Sequence, residues 1–135
     1  DRNDGLVVAG AVERCDIFVH PRILYVGECT RDKLISLYKR SKYFIHLAYH
    51  DNCPNVVVDA RASGCHIICA SCSGTPDIAG IGATVIEEDA WIPSPIELYN
   101  PPKLDFNRIR LNDIESTIDI NVICQRYIEF MMRFL

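Results

Sequence analysis

Short apolar runs closed by glycines and polar turns set the rhythm of the first two-thirds of the chain. Leu6 to Ala9 lies between Gly5 and Gly10, and Leu24 to Val26 is closed by Gly27. Runs of this length without polar alternation predict strands buried on both faces. Tyr43 to Ala48 predicts a third strand, Ile67 to Ala70 a fourth, and Thr84 to Ile86 gives a weaker fifth signal. Ile17 to Val19 fits either a strand or a contact at a helix end.

Between these runs the period changes. Leu34, Leu37 and Tyr38 form a stripe at helical spacing, Thr30 stands in a capping position, and Arg31, Lys33, Lys39 and Arg40 fall on the opposite, solvated face. A second helix is predicted from Asn55, as N-cap, to Gly64, as left-handed stop. Strands alternating with helices in this way predict an α/β fold, a Rossmann-like parallel sheet flanked by helices. Ligands of such sheets bind beyond the carboxyl ends of the strands. The loops carrying Gly27, Asp51 and Ser73 to Asp77 all follow predicted strands, so they should open at one edge.

The last third reads differently. Trp91 to Asn112 contains Pro93, Pro95, Pro101 and Pro102 and has no clear period, which predicts a wrapping loop over 91–112. The remainder, 113–135, predicts a C-terminal helix with Ile120, Ile123, Tyr127, Phe130 and Phe134 on one stripe. That stripe is expected to pack on the sheet, with a second domain as the alternative surface.

Composition narrows the class. The 135 residues suit one domain over 1–135 with a core of its own. A net charge of −4 provides no basic field for nucleic acid, and no apolar run has the length of a membrane span. Seven cysteines, an odd number without scaffold spacing, predict reduced thiols in a cytoplasmic protein. A start at Asp1 rather than Met leads us to expect a fragment of a longer chain.

Candidate chemistry centres on Asp51-Asn-Cys-Pro-Asn-Val-Val-Val-Asp59. Asp59 would lie about one turn into the second helix, near its N-terminus, where free amides and the helix dipole favour anions. Two aspartates at this spacing carry little weight alone; a turn residue and a solvated helix position are then the better account of them. Cys69 and Cys72 have metal-ligand spacing, yet Cys65 to Ala70 also reads as a buried strand, so core thiols are expected and no metal is assigned. His46 is read as a satisfied sheet residue. His50, at the strand's carboxyl end, either touches a ligand or is an idle loop residue. Glu87-Glu88-Asp89 reads as an exposed acidic turn.

The run from Phe44 to Ser71, with Asn55-Val-Val-Val-Asp-Ala-x-Ala-x-Gly64 at its centre and Ser73-Gly-Thr-Pro-Asp77 after it, resembles the donor-site core of group-1 retaining glycosyltransferases. Upstream, Leu6 to Gly10 and Ile23 to Gly27 resemble that family's second and third strands. The resemblance implies one half of a GT-B fold, apparently lacking its first strand, which should leave a gap or an unpaired edge. It implies a parent enzyme that moves a hexosyl unit, with retention, from a nucleoside diphosphate sugar to a sugar or lipid-linked acceptor. It further implies a separate N-terminal acceptor domain, no required metal or other cofactor, and room for peripheral membrane association of the parent.

By the same resemblance Asp59 would accept hydrogen bonds from the ribose, and Asp51 from hydroxyls of the transferred sugar. The amides around Asn55 and Val56 would approach the sugar and phosphates, and Gly27, Cys29, His50, Gly74 and Thr75 would form the rim. No catalytic residue is assigned. The family's Glu-x7-Glu pair stands here as Asp51 and Asp59, each one methylene shorter. Its Arg/Lys pair for the diphosphate has no counterpart ahead of Leu6, so the 135-residue chain alone is expected to be inactive. The alternative is a degenerate, non-catalytic Rossmann module used for interaction or scaffolding.

Overall fold

The computed structural model describes residues 4–12, 17–48, 51–72, 74–89 and 103–133. They divide into two compact units, Asp1–Leu37 and Tyr38–Leu135.

In the first unit, β1 (Leu6–Ala9) pairs in parallel with β2 (Ile23–Gly27), in the register Leu6 to Ile23 and Val8 to Tyr25. The register shifts between Val8 and Ala9, and the amide of Gly10 then bonds the carbonyl of Gly27 at 2.9 Å. Gly27 ends β2 at a φ of 67°, a left-handed conformation that only glycine adopts without strain. Ile17 to Val19 forms no regular element; instead the Phe18 amide donates to the Tyr25 hydroxyl at 3.1 Å. Helix α1 (Arg31–Tyr38) begins as its sequence predicts: Thr30 Oγ1 accepts from the Lys33 amide at 3.4 Å.

The second unit is an α/β, Rossmann-like layer. Its sheet runs β3 (Tyr43–His46), β4 (His66–Ala70), β5 (Thr84–Glu88) and β6 (Leu104–Leu111) in that order. The first three strands are parallel, and β6 is antiparallel to β5. Helix α2 (Asn55–Ala62) crosses from β3 to β4, and the short α3 (Thr75–Ala79) from β4 to β5. The core is made where these layers meet: Val57 and Ala60 of α2, Ile67, Cys69 and Ala70 of β4, Ala79 of α3, and Val85 and Ile86 of β5 are all buried. An interior strand must be apolar on both faces, which is why β4 reads as an unbroken apolar run.

Three expectations are corrected. The stretch predicted to wrap as a loop contains β6 over its last residues; 91–102 lie outside the described residues. The strand completes the β5 edge through its backbone, and Arg110 reaches diagonally across to Glu87 at 2.7 Å. Second, among the described residues the strands pair as β1–β2 and as β3–β6 rather than as one sheet. Third, α4 (Ile120–Met131) buries no residue, and the stripe expected to pack on the sheet is exposed at Tyr127 and Phe130. This helix is sustained locally: Asp119 caps it, accepting from the Asn121 amide at 2.9 Å.

Candidate functional site

At the carboxyl ends of β3 and β4, two chain segments meet. One is the turn Asp51 to Pro54, which leads into α2; the other is Gly74–Thr75, which starts α3. Asp51 Oδ1 accepts from the Cys53 amide at 3.3 Å, a local Asx-type bond that shapes the turn. The carbonyl of Asp51 accepts from the Thr75 hydroxyl at 3.4 Å. Gly74 is in an ordinary conformation, φ −84°, so its role is not torsional. A Cβ added there would overlap the carbonyl oxygen of Asn52 and lie 2.9 Å from its carbonyl carbon. Glycine is what lets the two segments touch.

Helix α2 starts one residue earlier than its sequence suggests. Pro54 is the N-cap, extended at φ −69° and ψ 107°, and its carbonyl accepts from the Val57 and Val58 amides at 2.9 and 3.4 Å. Asn55 is therefore the first helical residue, and the N-cap Pro54 supplies no side-chain cap. The amides of Asn55 and Val56 precede the first intrahelical bonds and face out of the positive end of the helix. Asn55, Val56 and Asp59 share the outer face by helical spacing, while Val57 and Ala60 face the core. The far end stops as predicted, with Gly64 at a φ of 92° and its amide on the Arg61 carbonyl at 3.0 Å.

Two polar side chains that the sequence did not single out hold this framework. Arg61 extends from α2 to the carbonyl of Ile78 at 2.9 Å, the hydroxyl of Ser116 at 3.0 Å and its carbonyl at 2.7 Å. Asn112, 2% exposed, donates to the carbonyls of Pro76 at 2.7 Å and Gly80 at 3.0 Å, pinning both ends of α3. Nothing in their local pattern marks them, because their partners are 17 to 55 residues away.

His46 also departs from expectation. It ends β3 with its Nε2 buried and without a hydrogen bond among the described residues, 3.4 Å from Asp51 Oδ2. That separation is within ion-pair reach but does not make a hydrogen bond. His50 and Ser73 lie outside the described residues. Gly27 and Cys29 belong to the first unit, where Cys29 Sγ lies 3.5 Å from the Gly27 carbonyl. The structure thus brings Asp51, Asn55, Val56, Asp59, Gly74 and Thr75 into one framework.

Cys65 and Cys69 are buried, and burial pushes the Cys69 thiol up to about 11. A thiol held so far toward its neutral form is a poor metal ligand or redox partner at neutral pH. Among the described residues no group of three or more His, Cys, Asp or Glu side chains could hold a metal ion. No helix among them is long and apolar enough to cross a membrane.

Glu88 is half-buried rather than a free turn residue. Its carboxylate accepts from the Cys72 amide at 2.9 Å and so anchors the start of the loop that leads to Gly74. Burial raises its pKa above the ordinary 4.5, outweighing the Cys72 hydrogen bonds that lower it. Between 4.5 and the raised value the folded state holds more protons than the unfolded one, so stability falls as pH rises through that window. Glu88→Gln keeps an acceptor for Cys72 and removes the charge. It should raise the melting temperature at neutral pH, and the gain should vanish below the ordinary carboxylate range. A gain that persists at low pH would show that ionisation is not its source.

No family model, curated protein or solved structure matches the chain.

Proposed function

We propose that the second unit is the donor-binding domain of a retaining glycosyltransferase and takes a nucleoside diphosphate sugar. The observation that carries this reading is the N-terminus of α2, begun by Pro54 without a side-chain cap, on the turn that bears Asp51 beyond the carboxyl end of β3, with Asp59 further along the same helix. Outward amides suit a phosphate or a sugar oxygen. The carboxylates of Asp51 and Asp59 suit hydroxyls, which donate to an ionised acceptor more strongly than to a neutral one. The resemblance of Phe44 to Asp77 to group-1 enzymes supports the same assignment and divides the labour, ribose to Asp59 and transferred sugar to Asp51. In the parent enzyme a hexosyl unit would pass to a sugar or lipid-linked acceptor held by another domain. Stabilisation of the departing diphosphate by aligned amides and cations would carry most of the chemistry.

The test is a ligand-observed titration with UDP, GDP and ADP. One of them should bind saturably, and Asp59→Ala should weaken it roughly tenfold or more, the worth of a hydrogen bond to a charged group. No binding of any of the three would remove the reading. The rival, a non-catalytic interaction module, is favoured by one observation: α4 presents Tyr127, Ile128, Phe130 and Met131 to solvent, and none of its residues is buried. Silence toward all three nucleotides would favour that module.

A further inference from the structure

We infer that His46 is a positioning residue that sets the Asp51 carboxylate for contact with the sugar of a nucleotide sugar; the inference rests on the donor-site reading above.

The two side chains differ in burial: the His46 side chain is 16% exposed and the Asp51 side chain 36%. Asp51 is fixed at one oxygen, Oδ1, by the Cys53 amide. Its second oxygen, Oδ2, faces His46 Nε2 at 3.4 Å. That nitrogen makes no hydrogen bond among the described residues. A buried ring nitrogen left without a bond is costly, and an adjacent carboxylate offsets that cost best when the nitrogen carries a proton.

The ring itself has little freedom. His46 stacks on Phe44, two residues back on the same strand face, at 6.3 Å and 14° between planes. Phe44 in turn meets the buried Tyr38 edge-on at 5.2 Å. The aromatic column sets the imidazole and the Cys53 amide sets the turn. Between them the carboxylate is aimed from two sides. An Nε2–H directed at Oδ2 would hold the carboxylate in the orientation that the Cys53 amide begins.

The pairing is read first without ligand, from imidazole ¹⁵N shifts. Nε2 should be the protonated nitrogen, and Asp51→Asn should move its resonance; a proton on Nδ1 alone, or no movement, overturns the pairing. The role is then read on the full chain, as the ratio of nucleotide-sugar affinity to nucleoside-diphosphate affinity. The probes are UDP, GDP and ADP and their glucose, galactose, mannose and N-acetylglucosamine conjugates. His46→Phe keeps the stack and removes the donor, and it should lower the ratio about fivefold for the preferred sugar while leaving the diphosphate affinity in place. His46→Gln should recover most of it. The combination with Asp51→Ala should lose no more than Asp51→Ala alone, as expected of two residues acting through one contact.

Equal losses for sugar conjugate and diphosphate would mean a structural role only and would overturn the inference. So would an unchanged ratio in His46→Phe. If no nucleotide binds the native chain, the donor-site reading fails and this one fails with it; if nucleotides bind and only the ratio ignores His46, the present inference alone fails.

Discussion

Asn112→Asp is expected to destabilise the second unit by about 4 kcal/mol, near the upper end for a single substitution. The native side chain donates two hydrogen bonds, to the carbonyls of Pro76 and Gly80, from a site only 2% exposed. Aspartate is nearly the same shape but, when ionised, only accepts. It would set a buried negative charge against two carbonyl oxygens and strip both of their donor. The backbone at Asn112 is bound as well, its amide to Ala83 at 2.7 Å and its carbonyl to Gly82 at 2.8 Å, so the side chain cannot swing away cheaply. Urea unfolding at neutral pH gives the loss directly. Acidification should recover part of it, because a protonated carboxyl regains one donor. A loss below about 1 kcal/mol would mean that α3 does not depend on this asparagine.

Gly74→Ala is the second large effect, expected at about 3 kcal/mol in stability together with loss of measurable nucleotide binding. The added methyl meets the backbone of Asn52 rather than a side chain that could turn aside. The turn after β3 and the start of α3 must therefore part, and the Thr75 hydroxyl bond to the Asp51 carbonyl goes with them. Asp51 is carried on the displaced turn. Truncating the Asn52 side chain should rescue nothing, since the obstruction is its carbonyl. Denaturant midpoints and the nucleotide titration would report the two consequences separately. Retained stability with retained binding would show that the two segments separate freely.

The parallel core was legible because its signals are local. Short apolar runs predicted β1 to β5, the first two closed by glycine and the fifth the weakest signal, and Thr30 and Gly64 marked a helix start and a helix stop correctly. Strand β6 was hidden by its own irregularity. Leu104 and Phe106 alternate, as do Ile109 and Leu111, but the two pairs are out of phase, and the register of β6 on β5 shifts between Ile86 and Glu87. An interruption of that kind flips the period of two on which strand recognition depends. The nearby prolines strengthened the loop reading. Within the candidate site the carboxylates and the glycine loop were visible as a pattern, whereas the residues that hold them were not. Arg61 and Asn112 act through partners brought near only by the fold, and a lone basic or amide side chain has no periodicity to betray it. Helix α4 failed differently: its stripe was real, but a stripe does not say which surface it meets.

The Arg61 clamp also fixes how this unit comes apart. One guanidinium ties the helix of the candidate site to α3 and to the irregular chain at Ser116, 55 residues further on. Releasing any one of the three leaves a half-buried cation short of acceptors, so local fraying of the chain around Ser116 is coupled to loosening of α2. The three should open as one cooperative segment rather than in sequence. A stretch without regular structure thereby acts as a fastening, and a proteolytic nick there would be felt at the far side of the molecule's helical layer.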